Sequence, residues 1–434
     1  MTIQRLVVPL VFILSFAAIY FITGNKVNQY GGSDALLTLP TSQAIVQTGH
    51  TYLTQWENRP VTPSGQPLAD TINNYQSTRW NNEIIDAFSP GPALLTLPIT
   101  IILNRLDYDL VEPNTNLAVQ NRLAFLTSSI VLVSLFGLCL TQLDILPALI
   151  LSHVGFFGSS LFANMGLALF NLNYAAIFIC WALTILSLIA VNHPIANRSW
   201  SVGCILGACL FFGFITRPSV AILIAIAFGW LILHRRAVAW PTMITAAVCL
   251  GLFCLWSINE YDLWLPLYLD PTKTDDAILP IWVGIIGNLV SPSRGMLIFM
   301  PWLILIPMGL IWIKHWGNKK LILWLVLWFG LLLIVVSSSV IWWGGSSFGP
   351  RVMAETIPGL VLVLAIVWQQ ASKKLKISSQ RTVIFIFGLT AIFSVWVNSF
   401  QPFFNVFTAG PWLSNITGFP VDNGRSQYFA WEFS

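Results

Sequence analysis

GPALLTLPITIILNRL, residues 91–106, is the stretch on which the topology turns. It is apolar but short, and Pro98 interrupts it. A helix that crosses a bilayer needs about 20 apolar residues. If this stretch crosses, every later loop changes side. The rest of the chain leaves no doubt that side matters. Of 434 residues, 56% are hydrophobic and only 9% are charged. A soluble domain carries about 25% charged residues, so this chain could not cover a core with polar surface. A soluble globular fold, a disordered chain and a nucleic-acid binder are excluded together.

The reading is all-α: a polytopic membrane protein of eleven crossing helices. Their positions are near 6–22, 121–140, 147–161, 174–191, 201–214, 220–233, 243–258, 296–312, 321–340, 353–369 and 382–398. With the N-terminus inside, one side carries Arg5, Arg198, Arg235, Arg236, Lys314, Lys319, Lys320, Lys373, Lys374, Lys376 and Arg381. These fall in about 50 loop residues, whereas the other ten basic residues spread over about 200, as the positive-inside rule requires. Counting 91–106 as a crossing would send the basic clusters outward. It therefore reads as a re-entrant or membrane-surface helix within a first outer loop, 23–120. The membrane domain spans 1–398, and an outer tail runs over 399–434.

All six cysteines lie in apolar runs and read as small core residues. The five histidines show no metal-ligand spacing, so no metal site is assigned. Asp107 and Asp109 spell D-x-D, but a three-letter match on the outer side carries little.

Five segments combine turn residues with charge, all on the outer side. In GGSDALLTLP (31–40), Asp34 precedes a run with helical spacing. A carboxylate there can act as a general base or as a helix N-cap, and spacing alone favours the cap. In DAFSPGPALLTLP (86–98), Pro90, Gly91 and Pro92 force an extended lead into the apolar run, and Asp86 offers a second carboxylate. TRPSV (216–220) sets Arg217 between two spans, where a snorkelling turn and a ligand role fit equally well. SPSRG (291–295) places Arg294 just ahead of a span, where a guanidinium needs a partner or the interface. WWGGSSFGPRVMAE (342–355) offers backbone N–H groups, Arg351 and Glu355 to an anion. Glu355 lies one helical turn after Arg351, so it is expected to orient that arginine.

In this order, the five segments resemble the polytopic glycosyltransferases of the GT-C superfamily, a group that includes protein mannosyltransferases and the aminoarabinose transferase of lipid A. The resemblance is closest to bacterial members. A further family segment, which carries a histidine, reads FNLNY here, Phe170 to Tyr174. The resemblance implies an inverting transfer of a sugar from a polyprenyl-phosphate donor to a glycan, lipid or protein acceptor at the outer face of the bacterial plasma membrane. It implies Asp34 as the catalytic carboxylate of the first loop, which binds the acceptor or acts as base, and Asp86, Arg217, Arg294, Arg351 and Glu355 are the residues expected to bind substrate. It leaves a divalent metal open as cofactor. The alternative is a non-catalytic polytopic protein that binds or translocates a lipid-linked glycan. A translocation path calls for ionisable residues in mid-span, and the span interiors here are nearly free of charge.

Reporter fusions made after Ser64 and after Lys376 are expected to report opposite sides of the membrane. Both on one side would overturn the orientation.

Overall fold

In hydrocarbon every backbone N–H and C=O must be satisfied within the segment, so long apolar runs fold as helices. A computed structural model describes residues 2–24, 34–72, 76–269, 281–292, 294–310, 319–339, 342, 349–374 and 376–400. Most of it is helical. In chain order the helices are α1 (Thr2–Gly24), α2 (Thr38–Thr48), α3 (Gly91–Arg105), α4 (Pro113–Leu140), α5 (Ile145–Phe157), α6 (Ser160–Met165), α7 (Asn171–Ala190) and α8 (Ser199–Thr216). There follow α9 (Val220–His234), α10 (Arg236–Tyr261), α11 (Ile281–Val290), α12 (Met296–Phe299), α13 (Leu305–Leu310), α14 (Lys319–Ser337), α15 (Ile357–Lys374) and α16 (Ile377–Val395).

Among the described residues, seven helices are long and apolar enough to cross a membrane: Pro113–Leu140, Asn171–Ala190, Ser199–Thr216, Arg236–Tyr261, Lys319–Ser337, Arg351–Lys373 and Ile377–Ser399. Each coincides with an expected span. The other four expected spans correspond to shorter apolar helices, Val7–Thr23, Ile145–Phe157, Val220–His234 and Pro301–Leu310. One of these differs in kind. The span expected at 296–312 is broken, because Pro301 has no N–H to give the preceding turn. It becomes α12, a 3₁₀ turn over Pro301–Ile304, and α13. The helix Ile281–Val290 was not expected at all. Lys314 and the tail from residue 401 lie outside the described residues.

The outward faces are apolar. Leu10, Ile13, Leu14 and Phe21 on α1 and Leu252 and Leu255 on α10 are all exposed. Water would penalise such surfaces; lipid does not. The helix Arg351–Lys373 is the most enclosed of the seven, with 78% of its apolar window buried, against 28% for Arg236–Tyr261 and Ile377–Ser399. It is the centre of the bundle, and the residues that precede it are therefore central too.

The chain runs back and forth, so the helix ends fall into two groups. At one end, Arg235 on the α9–α10 junction hydrogen-bonds the carbonyl of Ile189 and the side chain of Asn192 after α7. Trp324, near the start of α14, meets Gly229, near the end of α9, at that same end. The opposite end collects the first loop. There α3 does not run along the bundle. Ile99 and Leu103 pack with Leu39 of α2, Val119 and Leu123 at the start of α4, and Tyr174 at the start of α7. A Ser42–Thr100 hydrogen bond of 2.8 Å ties α2 to α3. Helix α3 thus packs on α2 and on the starts of α4 and α7.

Local chemistry holds the loop in place. Glu112 caps α4 by accepting from the N–H groups of Asn114 and Thr115 (3.1 and 2.6 Å), with Pro113 in the first turn where no N–H is needed. A two-stranded hairpin pairs β1 (Ser77–Trp80) with β2 (Glu83–Asp86). Asn81 and Asn82 both take positive φ (46° and 67°), as a tight two-residue hairpin turn demands. The loop has its own apolar cluster, in which Leu36, Leu37, Leu53, Val61, Leu68 and Ile84 are buried. The D-x-D residues take no part in the site described below: Asp109 pairs with Arg59 at 2.5 Å.

Gly91 is where the loop meets the bundle. A Cβ there would run into the carbonyl of Ile215, next to Arg217. Overpacking of this kind costs about 1–3 kcal/mol. Gly91→Ala is therefore expected to lower the unfolding temperature of the purified protein. Gly137→Ala, where nothing lies within 4 Å of the added carbon, is expected to leave it unchanged or raised. Equal melting of both variants and wild type would remove the close contact at Gly91.

Candidate functional site

The six residues singled out in the sequence come together at the loop-bearing end of the bundle. Each arrives by its own route. Asp34 opens a turn, 34–37, that precedes α2. The Nδ2 group of Asn116 donates to the carbonyl of Leu36 at 3.0 Å, and Nε2 of Gln120 donates to that of Ala35 at 2.9 Å. Helix α4 thus grips the backbone beside Asp34. The helix itself is capped by Leu37 with no side-chain bond, so Asp34 is not an N-cap. Its carboxylate instead forms an ion pair with Arg351, 317 residues away.

Arg351 also lies over the ring of Phe170, its guanidinium carbon 4.8 Å from the centroid. Phe170 stands in the segment where the resembling family carries a histidine. The turn before α15 is a 3₁₀ helix, Arg351–Thr356. At three residues per turn, positions four apart do not stack. The expected Arg351–Glu355 partnership is therefore not formed. Glu355 is fully buried and pairs with Arg217, and it also accepts a 2.7 Å bond from Ser219 Oγ. Arg217 in turn donates to the carbonyl of Val352 at 3.4 Å. The snorkelling reading of Arg217 is replaced by this lock between the α8–α9 turn and the start of α15.

Arg294 is buried, 4% exposed. Burial, reinforced by the nearby charge of Arg351, lowers its pKa to about 10, so it stays cationic at neutral pH. Its backbone N–H donates to Ser291 Oγ at 3.2 Å. Asp86 ends β2 and accepts from the N–H of Phe88 at 3.0 Å. Burial and the neighbouring carboxylate of Asp34 raise Asp86 to about 7 despite that hydrogen bond. Ser89 Oγ donates to the carbonyl of Ile215, so the Pro-Gly-Pro lead into α3 is pinned beside Arg217. Of the segment 342–355, residues 343–348 lie outside the described residues.

Tyr268 belongs to the site although sequence reasoning missed it. It lies on a short turn, Leu267–Leu269, after α10. Its phenol is pushed up in pKa chiefly by burial, and it feels the charges of Arg217, Asp34 and Arg351. No motif marks it; only an aromatic residue in an outer loop hints at it.

Three guanidinium groups thus face three carboxyl groups, one of which is half protonated near pH 7. Such a site suits an anion beside a hydroxyl. Among the described residues, no three His, Cys, Asp or Glu side chains come close enough together to hold a metal ion. Farther along the same end, Glu260 of α10 anchors the first loop. It accepts from Thr51 N–H (2.5 Å) and Thr51 Oγ1 (2.8 Å), and it lies 3.0 Å from His50 Nδ1.

At the level of sequence, no protein-family model and no characterised protein matches this chain. Its fold is matched. A crystal structure of an Archaeoglobus fulgidus oligosaccharyltransferase, tethered by a disulfide to an acceptor peptide containing the NVT sequon, aligns with a TM-score of 0.55 at 13% identity, over 98% of this chain and 59% of that one. The apo form of the same enzyme aligns with a TM-score of 0.53 at 12% identity, over 98% and 60%. This chain thus spans about three-fifths of the length of those proteins. The chain thus shares its fold with that oligosaccharyltransferase over nearly its whole length, and its long apolar helices make it a multi-pass membrane protein.

An ordinary aspartate titrates near pH 3.9. Between that value and about 7, folded Asp86 holds a proton that the unfolded chain has lost. Asp86 therefore costs stability progressively as pH rises through this window, and the full cost remains above it. Asp86→Asn removes the cost. Its unfolding temperature is expected to gain on wild type between pH 5 and pH 8. A difference that does not change with pH would contradict the shifted carboxyl.

Proposed function

We propose that this chain is a GT-C-type membrane glycosyltransferase that moves a sugar from a polyprenyl-phosphate donor to an acceptor at the extracytoplasmic face, with inversion at the anomeric carbon. The observation that carries the reading is the gathering of Asp34, Asp86, Arg217, Arg294, Arg351 and Glu355 at one end of the bundle. They come from five segments, and two ion pairs across the fold, Arg217–Glu355 and Arg351–Asp34, join four of them. The acceptor is a glycan, a lipid or a protein. The membrane is the bacterial plasma membrane, with the N-terminus inside and the basic helix ends facing the cytoplasm.

The donor's phosphate competes with Asp34 for Arg351. A guanidinium can hold two phosphate oxygens at once. As Arg351 turns to the phosphate, the Asp34 carboxylate is released toward the acceptor hydroxyl. That oxygen attacks the anomeric carbon from the face opposite the phosphate, and Asp34 takes its proton. The bond from the anomeric carbon to the phosphate oxygen breaks, and its electron pair leaves with the polyprenyl phosphate. A single displacement inverts the configuration. The leaving phosphate gains negative charge as the bond breaks, so Arg351 and Arg294 stabilise the transition state more than the ground state. Glu355 and Arg217 act indirectly by holding the turn that carries Arg351. Asp86, with a carboxyl raised to about 7, hydrogen-bonds the acceptor beside Asp34. Asp34 and Asp86, whose carboxyls influence each other, would hold a divalent cation if one is bound, and it would supply positive charge near the leaving group.

Purified protein supplied with synthetic polyprenyl-phosphate sugars tests the reading. Asp34→Asn keeps shape but cannot take a proton, and loss of a general base costs about 10² to 10⁴ in rate. Arg351→Ala is expected to be nearly inactive and Arg351→Lys to keep partial turnover. The ion pair keeps about a quarter of each side chain exposed, so the group left behind can be solvated and these variants are expected to fold. Wild-type turnover in Asp34→Asn and Arg351→Ala would return both residues to a structural role.

A further inference from the structure

Tyr268 combines features that a purely structural tyrosine does not. Its ring packs against Phe88, with centroids 5.9 Å apart and planes tilted by 54°. Phe88 is the residue whose N–H holds Asp86. The Asn171 side chain lies within hydrogen-bonding reach of the phenol. The charges of Arg217, Asp34 and Arg351 act on the phenol. Yet Tyr268 remains 38% exposed. A ring that packs on Phe88, beside Asp86, and keeps that much surface is open to a ligand.

We propose that Tyr268 is a donor-binding residue whose phenol O–H donates a hydrogen bond to an oxygen of the donor's phosphate, seated between Arg217 and Arg351. The inference rests on the transferase reading above. A phenol that feels the charge of two guanidinium groups stands where an anion is drawn, whereas the acceptor hydroxyl belongs with Asp34. Burial keeps the phenol protonated at neutral pH, so toward a phosphate it acts as a donor. The bond strengthens as the phosphate gains charge, so it also serves the departing polyprenyl phosphate. Phe88 backs the ring and fixes its tilt.

Tyr268→Phe keeps the ring and removes the O–H. The probes are a synthetic polyprenyl phosphate and the corresponding polyprenol, bound to purified protein in lipid nanodiscs. A hydrogen bond to a charged group contributes about 1.5–3 kcal/mol, which is roughly ten- to hundredfold in affinity. Tyr268→Phe is therefore expected to bind the phosphate lipid about ten- to hundredfold more weakly, with polyprenol binding and melting temperature unchanged. Wild-type affinity for the phosphate lipid would overturn the proposal. Equal loss for both lipids would overturn it too, since the side chain would then serve the hydrocarbon. Arg351→Ala separates this failure from that of the underlying reading. If Arg351→Ala weakens phosphate-lipid binding and Tyr268→Phe does not, only the role of Tyr268 falls. If neither does, the donor site itself is elsewhere.

Discussion

A carboxylate with no exposed surface cannot stay charged without a partner, and Glu355 has none of its surface exposed. Its ion pair with Arg217 therefore constrains the packing of the whole bundle. The pair clamps the turn between α8 and α9 onto the start of α15, the most enclosed helix. Breaking a buried pair by removing one partner typically costs about 3–5 kcal/mol, so the turn and the helix cannot drift apart. Arg351 lies just before Glu355 and is carried into position by this clamp. There it meets Asp34, and the second ion pair draws the first loop over the end of the bundle. The lead into α3, pinned by Ser89 and by the close contact at Gly91, completes the enclosure.

The two pairs differ in a way that matters for chemistry. Arg217–Glu355 is dry on the acid side and made to last. Arg351–Asp34 keeps about a quarter of each side chain exposed, 25% and 22%. Solvent access makes the second pair exchangeable at modest cost, which is what a site needs if an incoming phosphate is to take over the arginine. On the proposed reading, one pair is scaffold and the other the working contact.

Much of this was legible in the sequence. Hydropathy located the seven long helices, and the basic clusters separated the two ends. The basic clusters were the ground for reading 91–106, short and interrupted by Pro98, as a stretch that does not cross. Segments rich in Gly, Pro and Arg picked out the site residues. What the sequence could not show was who pairs with whom. A helical i to i+4 rule suggested Arg351 with Glu355, but the residues between them form a 3₁₀ turn, and the partners come from distant segments. The hairpin before Asp86 was signalled by Asn81-Asn82 between two short runs and was overlooked, because four-residue strands carry little periodicity. The helix Ile281–Val290 falls below the length at which a span is recognised. Tyr268 had no motif around it; only the packing of Phe88 and Asn171 reveals its place. Fold and function also separate here. The likeness to an oligosaccharyltransferase is one of fold at 13% identity; the chemistry rests on the residues of the site.

The central claim is that these paired charges serve sugar transfer from a lipid phosphate. It is tested most directly by mass spectrometry of the lipid-linked glycans in cells that lack the protein. The account predicts that one polyprenyl-phosphate-linked sugar accumulates and that its acceptor is left unmodified, with both changes reversed by the wild-type chain but not by Asp34→Asn. An unchanged pool of lipid-linked sugars, or reversal by Asp34→Asn as complete as by wild type, would contradict it.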